Sequence, residues 1–295
     1  MAPSLQTPGT IGAMNIDYEP AILRDIAVET AVAAAERISQ KREELTAKAS
    51  IRDFATSKSS AEDVVTIVDT LAEDFISDRL ATLRPEDGMI GEEGSQRPSH
   101  SGVSWVVDPI DGTVNFLYGI PEYAVSIGAA VDGEVVAGAV VNVATGVIYS
   151  AGSGLGATRQ CDGQITELRC SEATDPSLSL VATGFAYSAA RRQAQAQLLT
   201  RVLPHVRDIR RIGAAALDLC RVAEGSVDAY YEHGINCWDY AAGLVIAQEA
   251  GAVALTPRLS TPGTAGELSF VAAATVVEPL KKLLSDAGAL SPLGR

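Results

Sequence analysis

The stretch Trp105–Thr113, with the sequence WVVDPIDGT, constrains this chain most, because an apolar segment runs directly into two carboxylates three residues apart. The apolar segment Val103–Val107 predicts a buried strand. Pro109 favours an extended backbone at Asp108, and the turn that follows can bring Asp108 and Asp111 into one small volume. Two close carboxylates repel each other unless one is protonated or a cation lies between them.

The residues around this pair favour a cation. No lysine or arginine lies between Arg97 and Arg159, and oxygen ligands of this kind suit Mg²⁺ or Mn²⁺ better than zinc. Gly112 permits a sharp turn, and Thr113 then offers a hydroxyl and backbone N–H groups that can face an anion. The motif alone also fits a simpler interpretation, a surface Asp-Pro turn that caps a helix.

The composition sets limits on the partners of the chain. Its 295 residues can bury a full core in one large domain or in two packed ones. With 37 acidic and 23 basic residues, a net charge of −14, nucleic acid and anionic membranes are not expected as partners. No signal-like segment opens the sequence, so we expect a cytoplasmic protein, and residues 1–15 predict a disordered tail.

The pattern before residue 176 predicts two helices on a mostly antiparallel sheet. Apolar residues at helical spacing predict helices over Ala21–Arg42 and Thr66–Leu83, the second with Thr66 as its N-cap and Asp69 in its first turn. The predicted strands are Ser50–Ala55, Met89–Glu92, Val103–Val107, Tyr123–Val131, Glu134–Val143, Val147–Ser150, Gly156–Arg159 and Ile165–Leu168.

After about Leu178, strands alternate with helices, which predicts a second α/β half. The predicted strands are Leu178–Thr183, Asp208–Arg211, Asp228–Tyr231, Val253–Leu255 and Ser269–Ala273, and the predicted helices are Arg191–Leu203, Gly213–Ala223, Asp239–Ala250 and Val277–Ala287. We therefore divide the chain into an N-terminal α+β half, residues 16–175, and a C-terminal α/β half, residues 176–295.

Three separated blocks carry a resemblance to a known family. They are Lys58–Asp69 (KSSAEDVVTIVD), Gly91–Gly94 (GEEG) followed by Trp105–Ile127 (WVVDPIDGTVNFLYGIPEYAVSI), and Glu232–Gly243 (EHGINCWDYAAG). In this order they resemble the inositol monophosphatase family, in particular its bacterial inositol-1-monophosphatase members, over about residues 21–287. The resemblance implies a layered αβαβα sandwich of the sugar-phosphatase type, with a metal-binding N-terminal half, a substrate-binding C-terminal half and, commonly, a homodimer.

The resemblance also implies roles for the acidic residues. Glu92, Asp108 and the Ile110 carbonyl would hold one Mg²⁺, while Asp108, Asp111 and Asp239 would hold a second. A third, weaker ion would share Glu92 and water, Mn²⁺ could substitute, and lithium would inhibit by replacing one Mg²⁺. Taken alone, an aspartate such as Asp239 at the start of a helix is a capping residue.

The implied reaction is hydrolysis of inositol monophosphate by direct attack of metal-activated water, without a protein nucleophile. Thr113, oriented by Asp69, would take or relay the proton of that water, with Glu92 adjacent. The residues implied to contact the substrate are Lys58, Asp111, Gly112, Thr113, Gly213, Ala214, Ala215 and Glu232. Ala214 lacks the hydroxyl that many members carry there, and Lys58 and Glu232, taken alone, are solvated charges.

Other functions remain open from the sequence. Relatives with this fold hydrolyse histidinol phosphate, fructose 1,6-bisphosphate or phosphoadenosine phosphate, and fold-level analogy does not separate these substrates. A bisphosphate enzyme would need further basic residues near the site, for which the candidates are Lys58, Arg191, Arg192, Arg210 and Arg211. A regulatory binding protein that reuses the fold is the alternative of a different class, and the intact set of predicted metal ligands argues against it.

Overall fold

The computed structural model describes residues 18–48 and 61–294, and the structural statements below concern these residues. Before residue 176 the helices and strands are α1 (Pro20–Lys48), α2 (Ala61–Leu83), β1 (Gly88–Gly91), β2 (Gln96–Arg97), β3 (Val103–Asp111), α3 (Thr113–Tyr118), β4 (Ala124–Val131), β5 (Glu134–Asn142), β6 (Ile148–Gly152), β7 (Ala157–Cys161) and β8 (Gln164–Glu167). These strands form one sheet in the order β2-β1-β3-β4-β5-β6-β7-β8. The pair β1 and β3 is parallel, and the other neighbouring pairs are antiparallel.

The second half builds a smaller mixed sheet. Its elements are β9 (Leu180–Thr183), α4 (Ala189–Val202), β10 (Asp208–Arg210), α5 (Ala215–Ala223), β11 (Ala229–His233), α6 (Cys237–Glu249), β12 (Ala252–Leu255), β13 (Leu268–Ala273) and α7 (Val277–Asp286). The strand order is β10-β9-β11-β13-β12, parallel from β10 to β11 and antiparallel in the remaining pairs.

Apolar side chains join these elements in five layers. One face of the larger sheet packs against α1 and α2, where Ile38, Ile76 and Trp105 are buried together. The other face packs against α5 and α6, which also pack against the smaller sheet through residues such as Leu219 and Tyr230. The outer face of the smaller sheet is covered by α4 and α7. The αβαβα sandwich with an antiparallel-rich first half is therefore confirmed.

Glycines bring α6 unusually close to its neighbours. A Cβ added at Gly138 would lie 2.9 Å from the Cα of Ala242, and one added at Gly243 would lie 2.7 Å from the Cβ of Leu219. Larger side chains at these positions would push the helix away from β5 and α5. This close packing fixes the start of α6 at the boundary between the two sheets.

The start of α2 differs from its prediction. The helix begins at Ala61 rather than at Thr66, so Thr66 is not the N-cap and Asp69 lies eight residues into the helix. Ala61 and the two acidic residues that follow it favour the first turn of a helix, which extends the helix ahead of the apolar stripe. The predicted strand Ser50–Ala55 and the predicted tail over residues 1–15 lie outside the described residues.

The division into two halves at residue 175 stays a prediction, because α5 and α6 share one apolar cluster with both sheets. None of the helices in the described part of the chain is long and apolar enough to cross a membrane.

Candidate metal and substrate site

A cavity of about 380 Å³ opens where β3, α3, α5, β11 and α6 meet. Most of the residues predicted for the site line it: Glu92, Asp108, Ile110, Asp111, Gly112, Thr113, Gly213, Ala214, Ala215, Glu232 and Asp239. Lys58 lies outside the described residues. Asp69 does not line the cavity, but the charge of Glu92 raises the pKa of its carboxyl. Residues from distant parts of the sequence therefore surround one cavity.

Three carboxylates form the acidic centre of this cavity. Asp108 and Asp111 come from β3 and Asp239 from α6, and one oxygen of each lies within 4.8 Å of the others. Asp108 is buried, and its Oδ1 has no hydrogen-bond partner among the described residues. A buried carboxylate oxygen without a partner is costly unless a proton or a cation reaches it. The donor set, oxygen throughout, fits a divalent cation such as Mg²⁺ or Mn²⁺.

An irregularity in β3 aims two of these side chains. The strand continues to Asp111, beyond the predicted end at Val107, and its register against β4 shifts between Asp108 and Asp111. Pro109 lies in this interval and has no N–H to donate to the neighbouring strand. Such irregularities re-aim side chains at the end of a strand, which allows both aspartates to face the same cavity.

Gly112 makes the turn between β3 and α3. Its φ is +92°, and an added Cβ would lie 2.8 Å from the carbonyl oxygen of Glu122 and 3.1 Å from the Cβ of Ala214. Glycine is therefore the residue that fits this turn. Thr113 follows as the first residue of α3, and its hydroxyl donates to the Ile110 carbonyl oxygen at 3.2 Å.

Asp111 connects the two halves of the chain. Its Oδ1 accepts from the backbone N–H of Ala215 at 3.2 Å, and its Oδ2 accepts from that of Ala216 at 2.7 Å. The carboxylate thus caps the N-terminus of α5, where the helix dipole favours a negative charge. Burial raises the pKa of Asp111 to about 7, although these two hydrogen bonds lower it.

Asp239 lies at the third position of α6, because the helix begins at Cys237, two residues before its predicted start at Asp239. Asn236 is the N-cap, and its backbone N–H donates to Asp239 Oδ2 at 2.6 Å. Burial raises the pKa of Asp239 well above its usual range, and the charge of Asp111 raises it further. The capping role that the residue type suggests is therefore present beside the role in the acidic cluster.

Further acids lie beside the cluster. Glu92 follows β1 directly, and although the residue is exposed overall, partial burial of its carboxyl raises its pKa, while a hydrogen bond with Asp108 lowers it. Burial also raises the pKa of Asp69 to about 8, with further contributions from Glu93, Glu92 and Glu73. Oδ1 of Asp69 is buried, with no hydrogen-bond partner in the described part of the chain.

Glu232 forms the opposite side of the cavity. It lies within β11, not after the strand as predicted, and its Oε2 accepts from the Tyr230 hydroxyl at 2.8 Å. Its carboxyl lies directly against Gly184, where any side chain would overlap it. Burial raises the pKa of Glu232 to about 7, whereas Tyr230 and Arg211 lower it.

Several cavity residues were missed as site residues. Gly184, Tyr187 and Asp218 belong to no motif, and Arg191 and Arg211 were noted for their charge alone. Side chains of this kind reach the site through the packing of the second half. Arg191 donates to backbone carbonyls of five residues, which ties the C-terminal segment to the cavity wall: Gly263 at 2.8 Å, Thr264 at 3.0 Å, Leu293 at 3.1 Å, Gly294 at 3.1 Å and Gly234 at 3.5 Å.

Comparison with known proteins agrees with this geometry. A model of the inositol monophosphatase family matches residues 20–288. The chain belongs to the inositol monophosphatase family. It is 50% identical to the inositol-1-monophosphatase SuhB of Mycobacterium tuberculosis over 288 residues, which covers 94% of this chain and 98% of the relative. Membership of this family and relatives of this kind make the chain a phosphatase.

Two further comparisons place the chain within the family. The solved structure of Mycobacterium tuberculosis SuhB superposes with a TM-score of 0.81 at 47% identity, covering 93% of this chain and all of that one. A more distant relative, the Nus factor SuhB of Xylella fastidiosa, is 37% identical over 65% of this chain and 68% of its own length. The family is metal dependent, and the acidic cluster is consistent with metal binding.

Proposed function

We propose that this chain hydrolyses inositol monophosphate to inositol and phosphate, with Mg²⁺ as cofactor, by direct attack of water on phosphorus. The observation that carries the proposal is the cluster of Asp108, Asp111 and Asp239, whose oxygens lie within 4.8 Å of one another. Glu232 lies in the same cavity, where a polyol leaving group would fit. The 50% identical relatives named inositol-1-monophosphatase support this substrate.

The ligand assignment is the one that the family resemblance implies. Glu92, Asp108 and the Ile110 carbonyl would hold one Mg²⁺, and Asp108, Asp111 and Asp239 would hold a second. A third, weaker ion would lie near Glu92, and Mn²⁺ could substitute. When bound, the ions supply positive charge for the phosphate and the leaving oxygen, and they lower the pKa of a bound water.

Residues beside the metal ligands would handle the proton of the attacking water. Thr113 and Glu92 line the cavity and are the groups we assign to receive or relay it. Asp69 keeps one buried oxygen without a partner among the described residues. We assign it a role in positioning Thr113 because the family resemblance implies that role.

The substrate would lie between the two sides of the cavity. Backbone N–H groups of Gly112 and Thr113 would bind phosphate oxygens, and the backbone of Gly213–Ala215 would contact the leaving group beside Glu232. Asp111 borders both sides through its contacts with α5. Lys58 remains a prediction for phosphate binding.

Direct water attack agrees with the side chains around the cavity. A protein nucleophile needs an activating base within hydrogen-bond reach. The hydroxyl of Thr113 donates to a backbone carbonyl. The ring of His233 uses its Nε2 in a 2.7 Å hydrogen bond with the Ala289 carbonyl oxygen, on the far side of β11 from Glu232. An acid-quench experiment should therefore find no phosphoenzyme, and trapping one would contradict direct attack.

A phosphate-release panel tests the substrate. With Mg²⁺, inositol 1-phosphate should show the highest kcat/KM among inositol 1-phosphate, histidinol phosphate, fructose 1,6-bisphosphate and phosphoadenosine phosphate. Chelation of the metal should abolish release, and Mn²⁺ should restore part of it. A higher kcat/KM for any of the other three esters would replace the proposed substrate.

The bisphosphate alternative has less support. Arg191 is committed to backbone carbonyls, and Arg210 pairs with Asp208 at 2.6 Å. Arg211 lines the cavity. Its positive charge lowers the pKa of Glu232, which indicates that it lies near this acid. Among the described candidates that line the cavity, Arg211 is therefore the one that backbone carbonyls do not engage, and one such arginine gives a second phosphate little support.

Two remaining predictions concern partners. A regulatory role is suggested by relatives named Nus factor SuhB, and metal-dependent phosphate release would argue for catalysis as the main role. A homodimer is expected from the family resemblance. Light scattering after size-exclusion chromatography would measure the oligomeric state, and a monomer at high concentration would contradict the dimer.

A further inference from the structure

Asp218 is a buried acid in the cavity wall that the proposed reaction does not use. It lies in the first turns of α5, is 2% exposed and lines the cavity together with Glu232. Its Oδ1 is buried and has no hydrogen-bond partner among the described residues. An acceptor of this kind carries a penalty unless a ligand or a water supplies a donor.

The surroundings of Asp218 differ from those of the acidic cluster. Charged groups of both signs influence it: Glu232 and Asp111 raise its pKa in addition to burial, while Arg221 and Arg211 lower it. Among the described residues it is not a member of the group of acids that could hold a metal ion. The missing partner is therefore better matched by a neutral donor than by a second cation.

Glu232 supplies the comparison within the same cavity. One of its oxygens accepts from the Tyr230 hydroxyl at 2.8 Å, so this carboxyl is already partly satisfied by the protein. Asp218 shares the cavity wall but, within the described chain, its Oδ1 receives no such donor. Two acceptors in one cavity wall, one of them without a partner among the described residues, suit a ligand that carries more than one hydroxyl.

We propose that Asp218 and Glu232 together form a two-acceptor hydroxyl site that selects phosphate monoesters of polyols over phosphate esters of rings or chains without hydroxyl groups. This inference rests on the proposed function and extends it, because it assigns a residue outside the sequence motifs to substrate selection. A site built to receive hydroxyl donors discriminates strongly against analogues that lack them, since its buried acceptors are then left unpaired.

The test compares two esters on matched variants. Myo-inositol 1-phosphate and cyclohexyl phosphate share a six-membered ring and differ in the ring hydroxyls. Asp218→Leu keeps a similar volume and removes the acceptor, whereas Asp218→Asn keeps one acceptor oxygen. We expect Asp218→Leu to lower kcat/KM for the inositol ester about 10- to 100-fold, mainly through KM. The value for cyclohexyl phosphate should stay within about threefold, and Asp218→Asn should fall between the wild type and Asp218→Leu.

Other outcomes would overturn the proposal. Equal losses on both esters would assign Asp218 a structural role in α5, and no loss on either would remove it from substrate binding. Absence of phosphate release from both esters by the wild-type protein would overturn the proposed function itself, together with the selection that rests on it. The wild-type result is read first, so the two failures are distinguishable.

A second measurement covers the case in which Asp218→Leu does not fold. The wild-type protein is assayed with monodeoxy inositol phosphates, each lacking one ring hydroxyl. Two acceptors predict at least two positions where the loss exceeds about tenfold, and Glu232→Gln should reduce the sensitivity at one of them while the other persists. A single sensitive position, reduced by Glu232→Gln, would contradict the role of Asp218.

Discussion

The two sides of the cavity hold buried carboxylates by different means. One side, called the β3 side, carries the acidic cluster of Asp108, Asp111 and Asp239. Burial raises the pKa values of these three carboxyls, and the charges of neighbouring acids raise them further. On the β11 side, Glu232 accepts a hydrogen bond from Tyr230 and lies near Arg211, both of which lower its pKa. Like charges without a basic partner require added positive charge, whereas a carboxyl with donors around it can bind a neutral ligand.

This difference separates catalysis from selection. The β3 side would concentrate cations and act on the phosphate, and the β11 side would recognise the group to which the phosphate is attached. α5 connects the two, because its first N–H groups donate to Asp111 and its first turns carry Asp218. Changes on the β3 side should therefore affect turnover, and changes on the β11 side should affect KM.

The largest effect is expected for Asp239→Asn. The amide lacks the negative charge that a divalent cation needs, so Mg²⁺-dependent phosphate release should fall about a thousandfold or more. The amide oxygen can still accept from the Asn236 N–H, so α6 should keep its cap. Steady-state kinetics and circular dichroism would measure both.

Glu278→Gln is the matched control for this change. Glu278 is also an acid in the first turn of a helix, α7, but it is exposed and does not line the cavity. Its neutralisation should leave turnover unchanged. Activity retained by Asp239→Asn would remove Asp239 from the metal ligands.

The second effect concerns stability without metal. The pKa of Asp69 is raised to about 8 by burial and by the acids nearby, so the folded chain holds a proton that the unfolded chain releases. The contribution of this bound proton to the free energy of unfolding is complete below about pH 4 and is lost as the pH rises through 8. Asp69→Asn should therefore stabilise the metal-free protein at alkaline pH, by about 2 kcal/mol once relaxation of the site is considered.

Chemical denaturation in the presence of a chelator would measure this change. The gain from Asp69→Asn should shrink towards pH 5, where the wild-type carboxyl is already protonated. Asp162→Asn, an exposed turn residue remote from the cavity, is a suitable control. An equal gain at both pH values would mean that burial and the nearby acids do not raise the pKa of Asp69.

The sequence predicted the β3 side better than the β11 side, and the reason is physical. Asp108, Pro109, Asp111 and Gly112 are neighbours, so their strand and turn preferences act locally. The resemblance added Asp239. The capping contact that it makes from the third position of α6 was not predicted, because the predicted helix began at Asp239 itself. The cap of α5 by Asp111 depends on contact between residues more than a hundred positions apart.

The layers of the fold were predictable for a related reason. Apolar periodicity marks most helices and strands, and the resemblance supplied their arrangement. Asp218 shows where this approach ends. A single acid in a mostly apolar helix is normally placed in solvent, and burial of its carboxyl in the cavity wall follows from how α5 packs between the sheets.

The third effect is expected for Glu232→Gln. The amide can accept a hydrogen bond from a substrate hydroxyl, but more weakly than a carboxylate, so KM for inositol 1-phosphate should rise about tenfold with kcat within about threefold. Initial rates over a range of substrate concentrations would separate the two constants. A wild-type KM would place the leaving group elsewhere, whereas a loss mainly in kcat would mean that the two sides are not separate in function.

The smallest effect is expected for the ion pair that holds α5 to the first half. Arg221 Nη2 lies 2.7 Å from Glu122 Oε1, and both side chains are about a quarter exposed. Arg221→Met keeps most of the apolar stem and should cost no more than about 1 kcal/mol of unfolding free energy, a loss that high salt should reduce. Because Asp111 and the apolar contacts of α5 remain, KM should not change. A rise in KM would show that this pair, rather than the packing of α5, positions the β11 side against the acidic cluster.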